Sequence, residues 1–292
     1  MNMLQEKTSS PTSRLIIEAE QENYSKLAAF LNQNNLVHRH LDWVSALDWV
    51  GSHPYLIEIS DRQLQAVLCA TPENDEVAWL RVFGVRKDLS AGEHWDQLLP
   101  RAIQKLRDMK INCLAGLALH PWFEALLMDS EFVNKQNIIV LEWQGELPKT
   151  TLHDADIQIR QMQSEDLLAV QRIDRLAFPP LWQNSLDGLS RAFGQTGIST
   201  VALIKGEIVG YQISTSMTIY GHLARLAVHP GYQRKGIANS LLFDLLRRFK
   251  QRGIWRITVN TQSDNEPSIT LYKKFRFVKT PETFRVYQMA IN

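Results

Sequence analysis

The stretch Leu226-Ala-Val-His-Pro-Gly-Tyr-Gln-Arg-Lys-Gly-Ile-Ala238 decides how this chain reads. It leaves an apolar run over residues 222–228 that predicts a strand. It then crosses a polar bend and enters a segment with apolar residues at helical spacing: Ala238, Leu241, Leu242, Leu245, Leu246 and Phe249. Arg247, Arg248 and Lys250 fall largely on the other face, and Gly253 follows as a stop. In the bend, Gln233-x-x-Gly236-x-Ala238 sets small residues where a ligand can approach the main chain closely. The helix start adds unpaired N–H groups and a field that favours phosphate. Arg234 and Lys235 contribute screened surface charge. An ordinary strand-to-helix turn with a glycine cap has the same outline. The chain has neither a Gly-x-Gly-x-x-Gly turn nor a complete Walker loop, so a nucleotide fold of those kinds is excluded.

Working outward, residues 157–162 predict a strand and Ser164–Leu176 a helix with Ser164-Glu165-Asp166 at its start. A hairpin turns at Lys205-Gly206-Glu207. Beyond the long helix come a β-rich run at 254–260, a short helix around Pro267–Phe275 and a last strand near Thr283–Met289. The front of the chain repeats this spacing. Trp95, Leu98, Leu99, Ala102, Ile103 and Leu106 each stand 143 residues before a rear counterpart, and Val85 stands 143 before Val228. A strand from Ile111, a helix at Trp122–Met128 and a closing strand at 138–143 complete the front copy. Two unrelated α/β units with amphipathic helices remain the alternative. Residues 145–155 read as a linker, so the expected domains are 1–144 and 156–292.

Composition narrows the function. The 292 residues include 45% hydrophobic ones, enough for two substantial cores. Two cysteines, Cys69 and Cys113, make no disulfide framework, and the eight histidines show no metal-ligand spacing, so no metal is expected. No run of apolar residues suggests a secretory signal or a membrane span, which points to the cytoplasm. The net charge of +1 hides an asymmetry. Residues 1–150 carry 14 Lys/Arg against 20 Asp/Glu, and residues 151–292 carry 18 against 11, giving −6 and +7. A basic rear half suits nucleic acid, an anionic cofactor or the acidic half. Nucleic acid ranks below the others, because no recognition module is present.

The segment around Gln233–Ala238, with Asn265 and Leu271-Tyr272-x-x-x-x-Phe277 downstream, resembles the cofactor-binding motif of the GCN5-related N-acetyltransferase (GNAT) superfamily, over most of residues 157–290. The rear half particularly resembles enzymes that acetylate protein N-terminal amines. The resemblance implies an α/β (α+β) fold of two tandem GNAT-like domains, each with a mixed, mostly antiparallel sheet flanked by helices. It implies acetyl-CoA as cosubstrate. Main-chain groups of Gln233, Arg234, Lys235, Gly236, Ile237 and Ala238 would hold its pyrophosphate. Leu226, Ala227 and Val228 would face pantetheine and the acetyl carbonyl, and Asn265 the coenzyme arm. Tyr272 would act as general acid and the Val228 N–H as oxyanion donor. The front half has Ser90, Glu93 and Trp95 where the motif needs Gln233, Gly236 and Ala238, and Leu127 or Met128 near the place of Tyr272. A carboxylate repels diphosphate and an indole blocks its approach, so the front is expected to be a degenerate copy.

The general base is missing from this pattern. Asn260 occupies the position where the resemblance leads one to expect Glu, and an amide cannot take a proton as a carboxylate does. His222 and His229 titrate near neutral pH but also suit structural roles, and Glu207 reads as a solvated turn charge. Residues 178–189, with Phe178, Leu181 and Trp182, form the best acceptor segment, with Tyr211 and Tyr220 as rim candidates and Trp43, Leu47 and Trp49 as its front counterpart. The expected activity is acetyl transfer to a primary amine, on a small molecule or a peptide N-terminus. The alternative is an acyl-CoA-binding sensor or scaffold without chemistry.

Overall fold

The structure is a computed structural model and describes residues 14–41, 43–145, 147 and 156–291. All but two positions of the 145–155 linker lie outside the described residues. The front run forms β1 (Leu15–Glu18), α1 (Tyr24–Asn32), β2 (Leu36–Arg39), β3 (Tyr55–Ser60), β4 (Gln63–Pro72), β5 (Val77–Val85), α2 (Ala91–Asp108), β6 (Cys113–Ala118), α3 (Pro121–Asp129) and β7 (Val133–Trp143). The rear run forms β8 (Gln158–Gln161), α4 (Leu167–Ala177), α5 (Leu186–Gly194), β9 (Ile198–Ile204), β10 (Glu207–Met217), β11 (Tyr220–Val228), α6 (Ile237–Gln251), β12 (Arg256–Gln262), α7 (Glu266–Lys274) and β13 (Val278–Ala290). The expected helices and strands are present, with ends shifted by a few residues. The largest shifts are in the closing strands, which begin five residues earlier than the apolar pattern suggests because their outer ends are polar and exposed.

The 143-residue offset holds where packing fixes it. It relates the ends of β5 and β11 (Val85, Val228), the ends of α2 and α6 (Asp108, Gln251) and the starts of β6 and β12 (Cys113, Arg256). Each long helix buries its apolar stripe on its own half of the sheet. Trp95, Leu98, Leu99, Ala102 and Leu106 join the front core, and Leu242, Leu245, Leu246 and Phe249 the rear core. Burying one such side chain stabilises by roughly 1.5–3 kcal/mol, so the duplicated stripes are a main reason both halves take one plan.

The two sheets are one. The strands run β1-β3-β4-β5-β6-β13-β7-β12-β11-β10-β9-β8. Residues 138–143 do not close the front half, as the linear pattern suggests. Ile138–Trp143 of β7 pair with Gln262–Ile257 of rear strand β12. In exchange, Arg285–Ala290 of β13 pair with Ala118–Cys113 of front strand β6. β7 and β13 also pair antiparallel with each other. Each half is therefore completed by the other's last strand. The apolar faces of both strands are buried this way, in a join that no local periodicity can reveal.

Candidate active site

In each half two parallel strands start paired and then part. β11 pairs with β12 from Tyr220–Leu223 against Arg256–Val259, and pairing stops there although both strands continue. The His229 N–H donates to the Val209 carbonyl oxygen at 2.9 Å. Amides alternate in direction along a strand, so those of Leu226 and Val228 turn away from β10 into the gap between the parting strands. The side chain of Gln233 reaches back and donates from Nε2 to the Val228 carbonyl oxygen at 3.3 Å, tying the bend to the strand end.

The bend then makes two left-handed turns, at Arg234 (φ 63°) and Gly236 (φ 83°). Gly236 is the N-cap of α6, and no side chain caps the helix. The first bond closing on it comes from the Ser240 N–H, at 3.0 Å. The amides of residues 237–239 therefore have no acceptor within the helix. A Cβ on Gly236 would meet nothing within 4 Å, so the backbone there faces open space. Consecutive amides curled around left-handed residues at a helix start form an anion-binding concavity. Arg234 and Lys235 are exposed beside it.

The front half builds the same corner differently. Ala91, Gly92 and Glu93, the counterparts of Arg234, Lys235 and Gly236, are wound into the first turn of α2. Ser90 caps that turn, its Oγ accepting from the Glu93 N–H at 3.4 Å. Trp95 is 1% exposed, packs edge-on against Phe83 at 5.0 Å, and donates from Nε1 to Ser130 Oγ at 2.8 Å beyond the end of α3. The gap itself is filled. β5 parts from β6 after Trp79, and β2 pairs with its open side from Val82 to Val85. Those residues match Arg225–Val228 in the rear. A neighbouring strand of the same chain thus takes up the backbone groups that stay open on β11.

At the rear, Leu226, Asn265 and Tyr272 line one end of a cavity of about 880 Å³. Ala227 and Val228 have buried side chains behind Leu226, and Gln233–Ala238 lie outside this cavity, past the strand end. Asn265 is the N-cap of α7, its Oδ1 accepting from the Ser268 N–H at 3.2 Å, and its Nδ2 donates to Gln262 Oε1 at 3.2 Å. That orients the amide at the cavity wall. Tyr272 is 5% exposed, and burial pushes its phenol well above the ordinary value of 10, so it stays protonated. Asn260 lines the same cavity in a polar row with Thr258 and Gln262.

Other side chains depart from expectation. Tyr211 is not at the rim. It is fully buried and donates to Asp174, which also accepts from Arg225 Nε at 2.7 Å and from the Asn184 N–H at 2.9 Å. Arg225 in turn lies over the Phe178 ring at 3.6 Å. This buried network joins α4, β10 and β11 to the acceptor segment, and sequence reasoning missed it because its members are far apart in the chain. Tyr220 is exposed beside Arg256 and does not line the cavity. His229 accepts from the Gly231 N–H at 3.1 Å and braces the bend, while Glu207 accepts from Tyr232 Oη at 2.9 Å. His222 does line the cavity, with Nδ1 2.9 Å from Thr258 Oγ1, and burial lowers its basicity. It stands four residues before Leu226, about 13 Å along the strand at ~3.3 Å per residue, too far for direct proton transfer from an amine beside Leu226. Among the described residues no cluster of His, Cys, Asp or Glu suits a metal ion, and no helix is long and apolar enough to cross a membrane.

Residues 167–277 match the family model described as Acetyltransferase (GNAT) family. The chain is 34% identical over 77 residues to Acetyltransferase SG1711 of Sodalis glossinidius, covering 26% of this chain and 54% of that protein. It is 30% identical over 94 residues to N-alpha-acetyltransferase 30 of Schizosaccharomyces pombe, covering 30% of this chain and 63% of that one. The chain thus spans between about half and two thirds of the length of these relatives. Its fold is similar to that of a tandem GNAT protein from the clavulanic acid biosynthesis pathway, with a TM-score of 0.61 at 12% identity, covering 96% of this chain and 98% of the other.

Proposed function

We propose, from the match of residues 167–277 to the GNAT acetyltransferase family model, that this chain transfers the acetyl group of acetyl-CoA to a primary amine, with one coenzyme held in the rear half. The observation that carries the reading is the uncapped start of α6, with Gly236 left-handed and open, next to the β11 edge beyond Leu223, which no described strand pairs. Diphosphate suits the amides of Arg234–Ala238, whereas the Gln233 N–H is taken by the Pro230 carbonyl oxygen at 3.3 Å, and an amide-rich pantetheine arm suits the open backbone of Leu226–Val228. Asn265 borders the arm. In the front half Ser90, Trp95 and β2 occupy the corresponding places, which supports residues 1–144 as a degenerate copy and 156–292 as the coenzyme-binding one.

Acetyl-CoA supplies an acyl carbon activated as a thioester. The amine arrives as free base, since the β12 side chains that line the cavity beyond the last β11 pairing, Asn260 and Gln262, take no proton at neutral pH. As its C–N bond forms, the Val228 N–H receives the developing negative charge. As the C–S bond breaks, Tyr272 Oη gives its proton to sulfur and regains one from solvent. The proton lost by the amine leaves through water in the cavity. A phenol held protonated by burial serves the acid role and not the base role.

Calorimetry with acetyl-CoA and a thiol-release assay with a panel of amines test the proposal. The expected result is one coenzyme per chain and turnover with at least one amine. Binding without turnover on any amine supports the sensor alternative. No binding at saturating acetyl-CoA rejects both.

A further inference from the structure

The cavity that ends at Tyr272 continues away from the coenzyme edge and crosses into the front half. Trp43, Trp79, Glu73 and Arg81 line it together with Phe178 and Trp182 of the rear. Trp79 and Trp182 meet at 5.6 Å between ring centroids. The position of Trp79 follows from the filled front gap: it is the last β5 residue paired with β6, and β2 then carries the chain to His40 and Trp43 on the same wall.

This wall is fixed. The acceptor segment is pinned to the front half by three hydrogen bonds, and Gln195 at the end of α5 adds a fourth. The Ser185 N–H donates to Glu73 Oε1 at 2.8 Å, and Asn74 Nδ2 donates to the Pro180 carbonyl oxygen at 2.8 Å. Trp182 Nε1 donates to Gln136 Oε1 at 2.8 Å, and Gln195 Nε2 to the Trp43 carbonyl oxygen at 2.5 Å. Two ion pairs lie on this wall, Arg81 with Glu73 and Arg225 with Asp174. An extended peptide held by strand addition needs a free strand edge. Beside the acceptor wall, β12 is paired to β7 along residues 257–262 and β11 to β10, so among the described residues the open edges are the facing ones of β11 beyond Leu223 and β12 beyond Val259, which border the coenzyme gap.

Resting on the proposed acetyl transfer, we propose that the front half supplies the far wall of the acceptor site, through Trp79 and Trp43, and that the acceptor is a primary amine on a compact, apolar, aromatic-sized body. A volume of about 880 Å³ holds the acyl end of the coenzyme together with such a molecule. Its ring lies against Trp79 and Trp182, and its amine points along the polar row of Thr258, Asn260 and Gln262 toward Leu226. The degenerate half is thereby a specificity element of the active one.

The test uses the full chain with saturating acetyl-CoA and three probes, phenethylamine, a tetrapeptide with a free N-terminus, and ethanolamine, with every rate expressed per free-base amine because a peptide N-terminus is less basic than an alkylamine. Binding is read by calorimetry and by tryptophan fluorescence, and turnover by thiol release. The expected result is saturable binding of phenethylamine, with kcat/KM at least ~10-fold above either other probe, on the scale of one aromatic contact. Trp79→Ala and, as a second variant on a half-exposed residue, Trp182→Ala should each cut the preference for phenethylamine over ethanolamine about tenfold while acetyl-CoA affinity stays within threefold. Equal or better use of the tetrapeptide, absence of saturable phenethylamine binding, or an unchanged preference in both folded variants would overturn the inference. Loss of acetyl-CoA binding in the unmodified chain would instead overturn the acetyl-transfer reading beneath it.

Discussion

Tyr272 and His38 show how burial sets the chemistry of single residues. Tyr272 sits in the rear core with its ring 5.5 Å from that of Phe277, and loss of solvent keeps its proton on. If it supplies the proton to the departing thiol, Tyr272→Phe should lower kcat by at least ~10²-fold, the lower end of general acid catalysis. The acetyl-CoA dissociation constant, read by calorimetry, should move less than threefold. An unchanged kcat would remove the acid role. His38, on β2, stacks on Phe123 at 3.7 Å, and burial, with the nearby His120, pulls it from 6.5 down to about 3. Its folded value is the lower one, so the unfolded chain binds the extra proton. Stability is therefore intact above about pH 6.5, falls as pH drops below that, and levels off only below about 3. One such group costs about 1.4 kcal/mol per pH unit in that window. Urea unfolding at pH 7 and pH 5 should show the loss, and His38→Phe should reduce it.

At the scale of elements, the two strand-to-helix corners differ through three residues. Where Ala91-Gly92-Glu93 wind into helix under a serine cap, Arg234-Lys235-Gly236 turn left-handed and leave the helix start bare. Gly236→Ala should cost about 1–2 kcal/mol of stability from its positive φ alone. It should also weaken acetyl-CoA binding at least tenfold, because the added methyl enters the open space over the amides. Gly253, at φ 74° beyond the far end of α6 and equally open, is the control. Gly253→Ala should lose similar stability and bind acetyl-CoA as before. Both elements of this contrast were legible in advance, since Ser90, Glu93 and Trp95 already conflict with the motif. The strand β2 lying in the front gap was not, because residues 36–39 carry no pattern that names their partner.

At the scale of the whole molecule, the exchange of β7 and β13 makes the halves depend on each other. Neither sheet is complete without the other run, and an uncovered β6 or β12 would expose an unpaired strand edge. Full-length protein should unfold in one cooperative transition by circular dichroism. Residues 156–292 expressed alone should fail to give a folded monomer, since β12 loses β7 and β13 loses both neighbours. Two separate transitions, or a stable isolated rear half, would contradict this dependence. The same joining brings Trp79 and Trp182 together, so the proposed acceptor choice also belongs to this scale.

The sequence by itself determined the duplicated plan, the elements and the bend that leaves the start of α6 bare. Those features are written in local periodicity and in the backbone freedom of particular residues, such as the glycine at 236. Only the tertiary structure decided which strand closes which half, what fills the front gap, and that one cavity draws its walls from both halves. Strand partners are chosen by burying faces and satisfying hydrogen bonds between segments more than a hundred residues apart, and the order of residues along the chain does not carry that information.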